Sequence, residues 1–169
     1  MIKSILKRNY WHYQILMILM VTSSLAAGCF KGDDSEPVSP AEQLEMDIKA
    51  IDAYLQANQI SASSHESGLR YMIKTEGNEV RATVVDSILV NYEGRFMHNG
   101  QVFDADESVA FSLGDLIQGW QIGIRLIGEG GSIVLYIPSG FAYGPFGVAG
   151  AIPPNANVIF DIDLLDVIL

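Results

Sequence analysis

Apolar residues recur along the chain with a changing period, and each period predicts a different element. Leu44, Ile48, Ile51 and Leu55 are spaced by four, three and four, with Glu45, Asp47, Lys49 and Asp52 mostly off that line. This is the pattern of a helix with one apolar face. The preceding Ser39-Pro40-Ala41-Glu42 has the form of a capping box, with proline at a first-turn position where its missing donor costs nothing. A helix therefore starts at Ser39, and the serine-rich stretch 58–67 ends it. Its stripe has to be covered, either by the chain's own domain or by a second copy in a homodimer formed through Leu44, Ile48, Ile51 and Leu55.

After residue 67 the composition turns β-rich and the period shortens to two. Strands are predicted at residues 69–74, 88–97, 102–104, 109–113, 133–137 and 158–168, with His98-Asn99-Gly100-Gln101 carrying an Asn-Gly hairpin signal. In the last strand Val158, Phe160, Ile162 and Leu164 alternate with Ile159, Asp161, Asp163 and Leu165, which fits an antiparallel sheet covered on one side and largely wet on the other. Only residues 116–127 return to helical spacing, through Trp120, Ile124 and Ile127 and in spite of Gly119 and Gly123. The fold class is α+β: an antiparallel sheet curled on one short helix and preceded by an amphipathic helix. A glycine- and proline-rich loop joins residues 137 and 158, and loops this long in compact domains tend to be functional.

The N-terminus has a different logic. Lys3, Lys7 and Arg8 precede an apolar run at residues 15–25, then Ala26, Ala27 and Gly28, in the order of an export signal. A membrane span needs roughly 20 predominantly apolar residues, and this run is shorter and interrupted by Thr22, Ser23 and Ser24. Leu25-Ala26-Ala27-Gly28-Cys29 resembles the lipobox of bacterial lipoproteins, except that Ala26 stands where leucine is usual. Cys29 is the only cysteine, so no intrachain disulfide can form, and lipidation is its expected use. Several acyl chains there imply stable anchoring in the cell envelope, on the periplasmic face of a membrane or the surface of a Gram-negative bacterium. The expected division is a signal at 1–28, an acidic tether at 29–38, a helix and linker at 39–66 and a domain at 67–169. None of the 20 acidic residues and three of the 10 basic ones precede Cys29, which leaves seven basic against twenty acidic, a net charge of −13. Such a surface repels polyanions, so nucleic acid is disfavoured as a partner.

Conventional catalytic apparatus is scarce. No cysteine remains beyond Cys29, and His12, His65 and His98 fall in the signal, a linker and a turn. Asp104, Asp106 and Glu107 lack the spaced oxygens and glycine of an EF-hand, and Gly128 to Gly131 follow a helix instead of opening one, so no phosphate cradle is present. What the chain offers is aromatic rings beside loops and glycines: Tyr92, Phe103, Phe111, Trp120, Phe141, Tyr143, Phe146 and Phe160. By composition alone these are core residues.

Their order says more. Val90-Asn91-Tyr92-Glu93-Gly94, Gly100-Gln101-Val102-Phe103-Asp104, Leu116-Ile117-Gln118-Gly119-Trp120, Phe141-Ala142-Tyr143-Gly144, Ile152-Pro153-Pro154-Asn155-Ala156 and the ending Val158-Ile159-Phe160-Asp161-Ile162-Asp163-Leu164-Leu165 follow one another as in FKBP-type peptidyl-prolyl cis-trans isomerases. The domain at 67–169 resembles that family over nearly its whole length. The resemblance implies a half-barrel sheet on one helix with an apolar pocket between them. It implies Trp120 as the floor under a proline ring, Phe103 and Phe160 as walls, the Ile117 N–H and the Tyr143 hydroxyl as donors to substrate carbonyls, and Asp104 orienting Tyr92. Phe111, Leu116 and Ile152 complete the implied substrate-binding set. Proline-containing polypeptide segments are the implied substrates and macrolides the implied inhibitors; no cofactor or metal is needed. A module that uses the same pocket only to hold apolar peptide, as a chaperone does, is the alternative. The family usually has an aromatic at Val109 and a larger aliphatic at Ala151, and departs also at Pro145 and Val148, so altered peptide preference and weaker macrolide binding are expected.

Overall fold

The capping box forms as the sequence predicts. Ser39 Oγ accepts from the Glu42 N–H at 3.3 Å while Glu42 Oε2 accepts from the Ser39 N–H at 2.9 Å, and hydrogen bonding from Ser39, first from its backbone N–H, holds the Glu42 carboxyl below the usual range. Helix α1 spans Pro40–Ala57 and stops at Asn58, whose backbone and side-chain N–H groups both donate to the Tyr54 carbonyl. The structure, a computed structural model, describes residues 38–168; the expected signal, Cys29 and nearly all of the tether lie outside the described residues.

The stripe of α1 lies on the chain's own sheet. Ile51 and Leu55 are buried together with Val134, Tyr136 and Ile159, each apolar side chain stabilising by about 1.5–3 kcal/mol when fully removed from water. Leu44 and Ile48 close over Gly68, where even a Cβ would come within 2.7 Å of Ile48. One expectation fails here: Asp47 was assigned to the wet side and is instead 3% exposed. It stands three residues after Leu44 and four before Ile51, inside the stripe, and its oxygens are filled, Oδ2 by Ser139 of a distant loop and Oδ1 by Gln43 of the same helix.

Six antiparallel strands form one open sheet: β1 (Ser63–Ser64), β2 (Arg70–Thr75), β3 (Ser87–Phe96), β4 (Val102–Ser112), β5 (Ser132–Ile137) and β6 (Val158–Ile168), in the spatial order β1-β2-β5-β6-β3-β4. The two strands expected at 102–104 and 109–113 are one. The polar residues between them form a bulge, with pairing that jumps from Tyr92↔Asp106 to Val90↔Val109, so that two residues face one. Ser108 takes the left-handed conformation (φ 54°) and its N–H is satisfied by Asn91 Oδ1 at 2.8 Å. The Asn-Gly turn is also wider than a two-residue hairpin: Gly100 N–H donates to Phe96 O and Phe96 N–H to Gln101 O. Only Gly100 has positive φ there, whereas the tight turn requires it at both central residues.

One face of the sheet is covered throughout and the other stays largely wet at Asp161, Asp163 and Leu165, as expected, except where α1 lies on it. Val158, Phe160, Ile162 and Leu164 face the main core, while Ile159 on the opposite side is 1% exposed beneath α1. The main core is closed by α2 (Gln118–Gly123), which continues into a 3-10 turn at Ile124–Leu126. This helix is shorter than the predicted 116–127 because Leu116 and Ile117 are extended. Its two glycines let it sit close on β5, since Cβ atoms at Gly119 and Gly123 would come within 2.6 and 2.5 Å of Ile137 and Leu135. No helix among the described residues is long and apolar enough to cross a membrane.

Candidate functional site

Trp120 projects from α2 into a box of rings contributed by the sheet. Phe160 of β6 stands 5.2 Å away at 85°, Tyr92 of β3 5.3 Å away at 80°, and Phe111 of β4 6.3 Å away at 88°. Edge-to-face rings at these separations attract one another beyond their area burial, but they stand around the indole without interdigitating over it. A recess of about 160 Å³ remains, lined by Tyr92, Asp104, Phe111, Leu116, Ile117, Trp120, Tyr143 and Phe160. That is the size of an apolar cavity of roughly 150 Å³ that admits a benzene ring. Gly94 is part of the construction, since a Cβ there would lie 2.5 Å from Phe160 and 3.0 Å from Phe103.

Polar groups meet the recess at its rim. The Tyr92 hydroxyl donates to Asp104 Oδ2 at 2.9 Å. Burial, then that bond and the Asp104 charge, raise the Tyr92 phenol well above its ordinary value. The Tyr143 phenol is raised by burial and by the Asp104 charge, so it remains a donor throughout the physiological range. With Asp104 engaged by Tyr92, the Tyr143 hydroxyl and the Ile117 N–H have no acceptor among the described residues. Gln121 Nε2 holds the strand-to-helix connection in place by donating to Gly114 O at 3.0 Å and Leu116 O at 2.7 Å. Inside, the Trp120 Nε1 is the one buried side-chain nitrogen or oxygen without a partner among the described residues.

Two expected site residues stand one row back. Phe103 is a buttress, tilted against Phe96 at 4.8 Å and edge-on to Phe160 at 5.6 Å and Tyr143 at 6.1 Å. Ile152 is buried in the core next to the recess and pairs with Val148 across the loop. Val109 and Ala151, the departures expected to alter peptide preference, do not line the recess either: Val109 packs half-buried on the core and Ala151 is exposed in a turn. The loop after β5 is held by 3-10 turns at Ser139–Phe141 and Gly144–Phe146 and places Tyr143 between them. Asp47 was missed as a residue of the site's surroundings, although its place within the apolar stripe was visible. A larger concavity of about 700 Å³ on the sheet has Lys74, Asn91, Glu93, Asp106, Glu107, Asp161 and Asp163 around it and a Lys74–Asp161 ion pair of 2.6 Å. It is polar and lacks convergent buried groups, so the aromatic recess is the better candidate.

Comparison with known proteins agrees with this geometry. A family model described as FKBP-type peptidyl-prolyl cis-trans isomerase matches residues 78–165. A probable FKBP-type peptidyl-prolyl cis-trans isomerase, FkpA of Neisseria meningitidis, is 40% identical over 105 residues, which cover 60% of this chain and 38% of that one. Peptidyl-prolyl cis-trans isomerase FPR2 of Saccharomyces cerevisiae is 39% identical over 113 residues, covering 63% of this chain and 84% of the relative. The crystal structure of FkpA from Escherichia coli superposes with a TM-score of 0.65 at 33% identity, over 76% of this chain and 64% of that chain. The match thus spans less than half the length of the bacterial relatives FkpA of Neisseria meningitidis and the probable isomerase of Haemophilus influenzae.

Proposed function

Because the chain belongs to the FKBP-type peptidyl-prolyl cis-trans isomerase family, we propose that it isomerises X-Pro bonds, taking the proline ring into the recess over Trp120. The observation that carries this is a recess of about 160 Å³ walled by aromatic rings, beside which two donors have no acceptor among the described residues. The planar amide is held by a barrier of about 18–20 kcal/mol, and an uncatalysed X-Pro bond turns over in tens to hundreds of seconds. Bringing that to milliseconds takes a factor of about 10⁴ to 10⁵, or roughly 5.5–7 kcal/mol at 1.36 kcal/mol per decade. No covalent bond to substrate is needed, only selective binding of the twisted amide.

Residues of the recess act on that requirement in three ways. Trp120, Phe111 and Phe160 exclude water from the prolyl amide, whose planar form has the more charged and better hydrated carbonyl, so desolvation weighs more on the planar state than on the twisted one. The Ile117 N–H and the Tyr143 hydroxyl take the flanking carbonyls and keep the chain still while one bond rotates. Asp104 fixes Tyr92 and places negative charge at the rim.

The finer reading concerns place and clients. Cys29, in its lipobox-like setting, is the site of lipid attachment, and the domain acts in the cell envelope on proline-containing segments of exported proteins. Proline-limited refolding of a model substrate tests the enzymatic reading: the purified chain accelerates the slow phase, and Asp104→Ala or Phe103→Ala reduces that by tenfold or more, about 1.4 kcal/mol. A chain that slows aggregation of the substrate yet leaves the slow phase untouched is a holding module, and the proposal then fails.

A further inference from the structure

The loop that carries Tyr143 is tied down at Ser139, where its first 3-10 turn begins, by an element outside the sheet. Asp47 Oδ2, on α1, accepts from the Ser139 N–H at 2.8 Å and from the Ser139 hydroxyl at 2.6 Å. Its Oδ1 accepts from Gln43 Nε2 at 2.8 Å, and Asn157 Oδ1 shares the Ser139 N–H at 3.0 Å. Asp47 is 3% exposed and Ser139 fully buried, and no Lys or Arg pairs with the carboxylate among the described residues. A buried carboxylate is costly unless its oxygens are filled, and an aliphatic side chain here would continue the stripe of α1 without that cost. What the carboxylate provides is direction, because two charge-assisted bonds to one serine fix both its backbone and its side chain.

That direction is passed along a short path. Ser139 opens a 3-10 turn in which Phe141 N–H donates to Pro138 O at 2.9 Å and Ala142 N–H to Ser139 O at 3.0 Å, and Tyr143 follows directly. On the far side the Asn155 N–H holds Gly144 O at 3.0 Å. Beside the tie the meeting of α1 and the loop opens into an apolar groove of about 320 Å³ between Leu44 and Pro145, so packing alone holds the loop loosely there. We propose that Asp47 is a positioning residue of the isomerase: through Ser139 it sets the Tyr143 hydroxyl over the recess, which makes α1 a working part of the site. The inference rests on the functional reading above.

Asp47→Ala, Asp47→Asn and Ser139→Ala, each alone and combined with Tyr143→Phe in the full chain, test it through kcat/KM on a prolyl peptide. Asp47→Ala lowers kcat/KM about tenfold, and Asp47→Asn, which keeps an acceptor, recovers most of it. In the Tyr143→Phe background Asp47→Ala costs nothing further, since residues that act through one another are not additive. A folded Asp47→Ala chain with unchanged kcat/KM, or with its full loss repeated on Tyr143→Phe, overturns the inference while the isomerase reading stands. If Asp47→Ala does not fold, Ser139→Ala decides by the same non-additivity criterion. A wild-type chain without isomerase activity overturns the functional reading and this one with it.

Discussion

Two helices lie on opposite faces of the sheet, α1 over only part of its face, and the two coverings end differently. Beneath α1, Ile51 and Leu55 settle among Val134, Tyr136 and Ile159 as a small filled cluster. Beneath α2, Trp120 meets three rings edge-on and a recess stays open. The side chains decide this. Branched aliphatic groups interdigitate to native density, whereas rings held edge-to-face fix one another's angles and cannot all collapse onto the indole. One face therefore spends its apolar surface on stability alone, and the other keeps part of it for a ligand.

Removing the centre of each covering separates the two outcomes. Trp120→Ala has the largest effect: about 3–5 kcal/mol of stability in urea unfolding, as for other buried large-to-Ala changes, together with loss of isomerisation in the fraction that remains folded. Leu55→Ala on the other face costs about 2–5 kcal/mol. It leaves kcat/KM unchanged when assayed below the lowered melting point, because Leu55 lies away from the loop tied by Asp47. If Leu55→Ala reduced kcat/KM as strongly as it reduced stability, the two faces would be one cooperative device and the comparison would dissolve.

The sequence made some of these elements legible and hid others, for reasons found in particular residues. The capping box at Ser39 and Glu42, the extent of β6 and the ring set around Trp120 rest on local patterns, so they could be read in advance. The fate of Ile159 could not, because a single isoleucine on the wet face of a strand is ordinary until a helix covers it. Continuous β4 was hidden behind Asp106, Glu107 and Ser108, where a bulge keeps a polar stretch within the strand. Asp47 was misplaced because its charge outweighed its position. Its partner is 92 residues away, and no local pattern carries a pairing of that range. Phe103 and Ile152 stand one row behind the lining of the recess, a distinction that the order of motifs does not carry.

A smaller effect distinguishes the faces by their titration. Tyr92 and Tyr143 on the recess side and Tyr136 on the α1 side all have phenol values raised above the ordinary 10.0, in each case first by burial. On the recess side the charge of Asp104 adds to burial for both tyrosines, whereas near Tyr136 the Tyr54 and Asp161 contributions are opposed by Arg95. Since the folded values are the higher ones, the unfolded chain loses its phenolic protons first as pH rises past 10. From there the native state holds more protons, and stability falls with pH. It is fully present below pH 10 and is lost as pH climbs toward the folded values. Melting temperatures measured from pH 8 to pH 11 are therefore flat and then decline. Tyr92→Phe makes the decline shallower, and Asp104→Asn makes it shallower only in part, because burial acts on both recess phenols with or without the carboxylate. A decline as steep in Tyr92→Phe as in the wild type would mean that the recess phenols are as hydrated as those of the unfolded chain, and the dry recess on which the contrast between the faces depends would not exist.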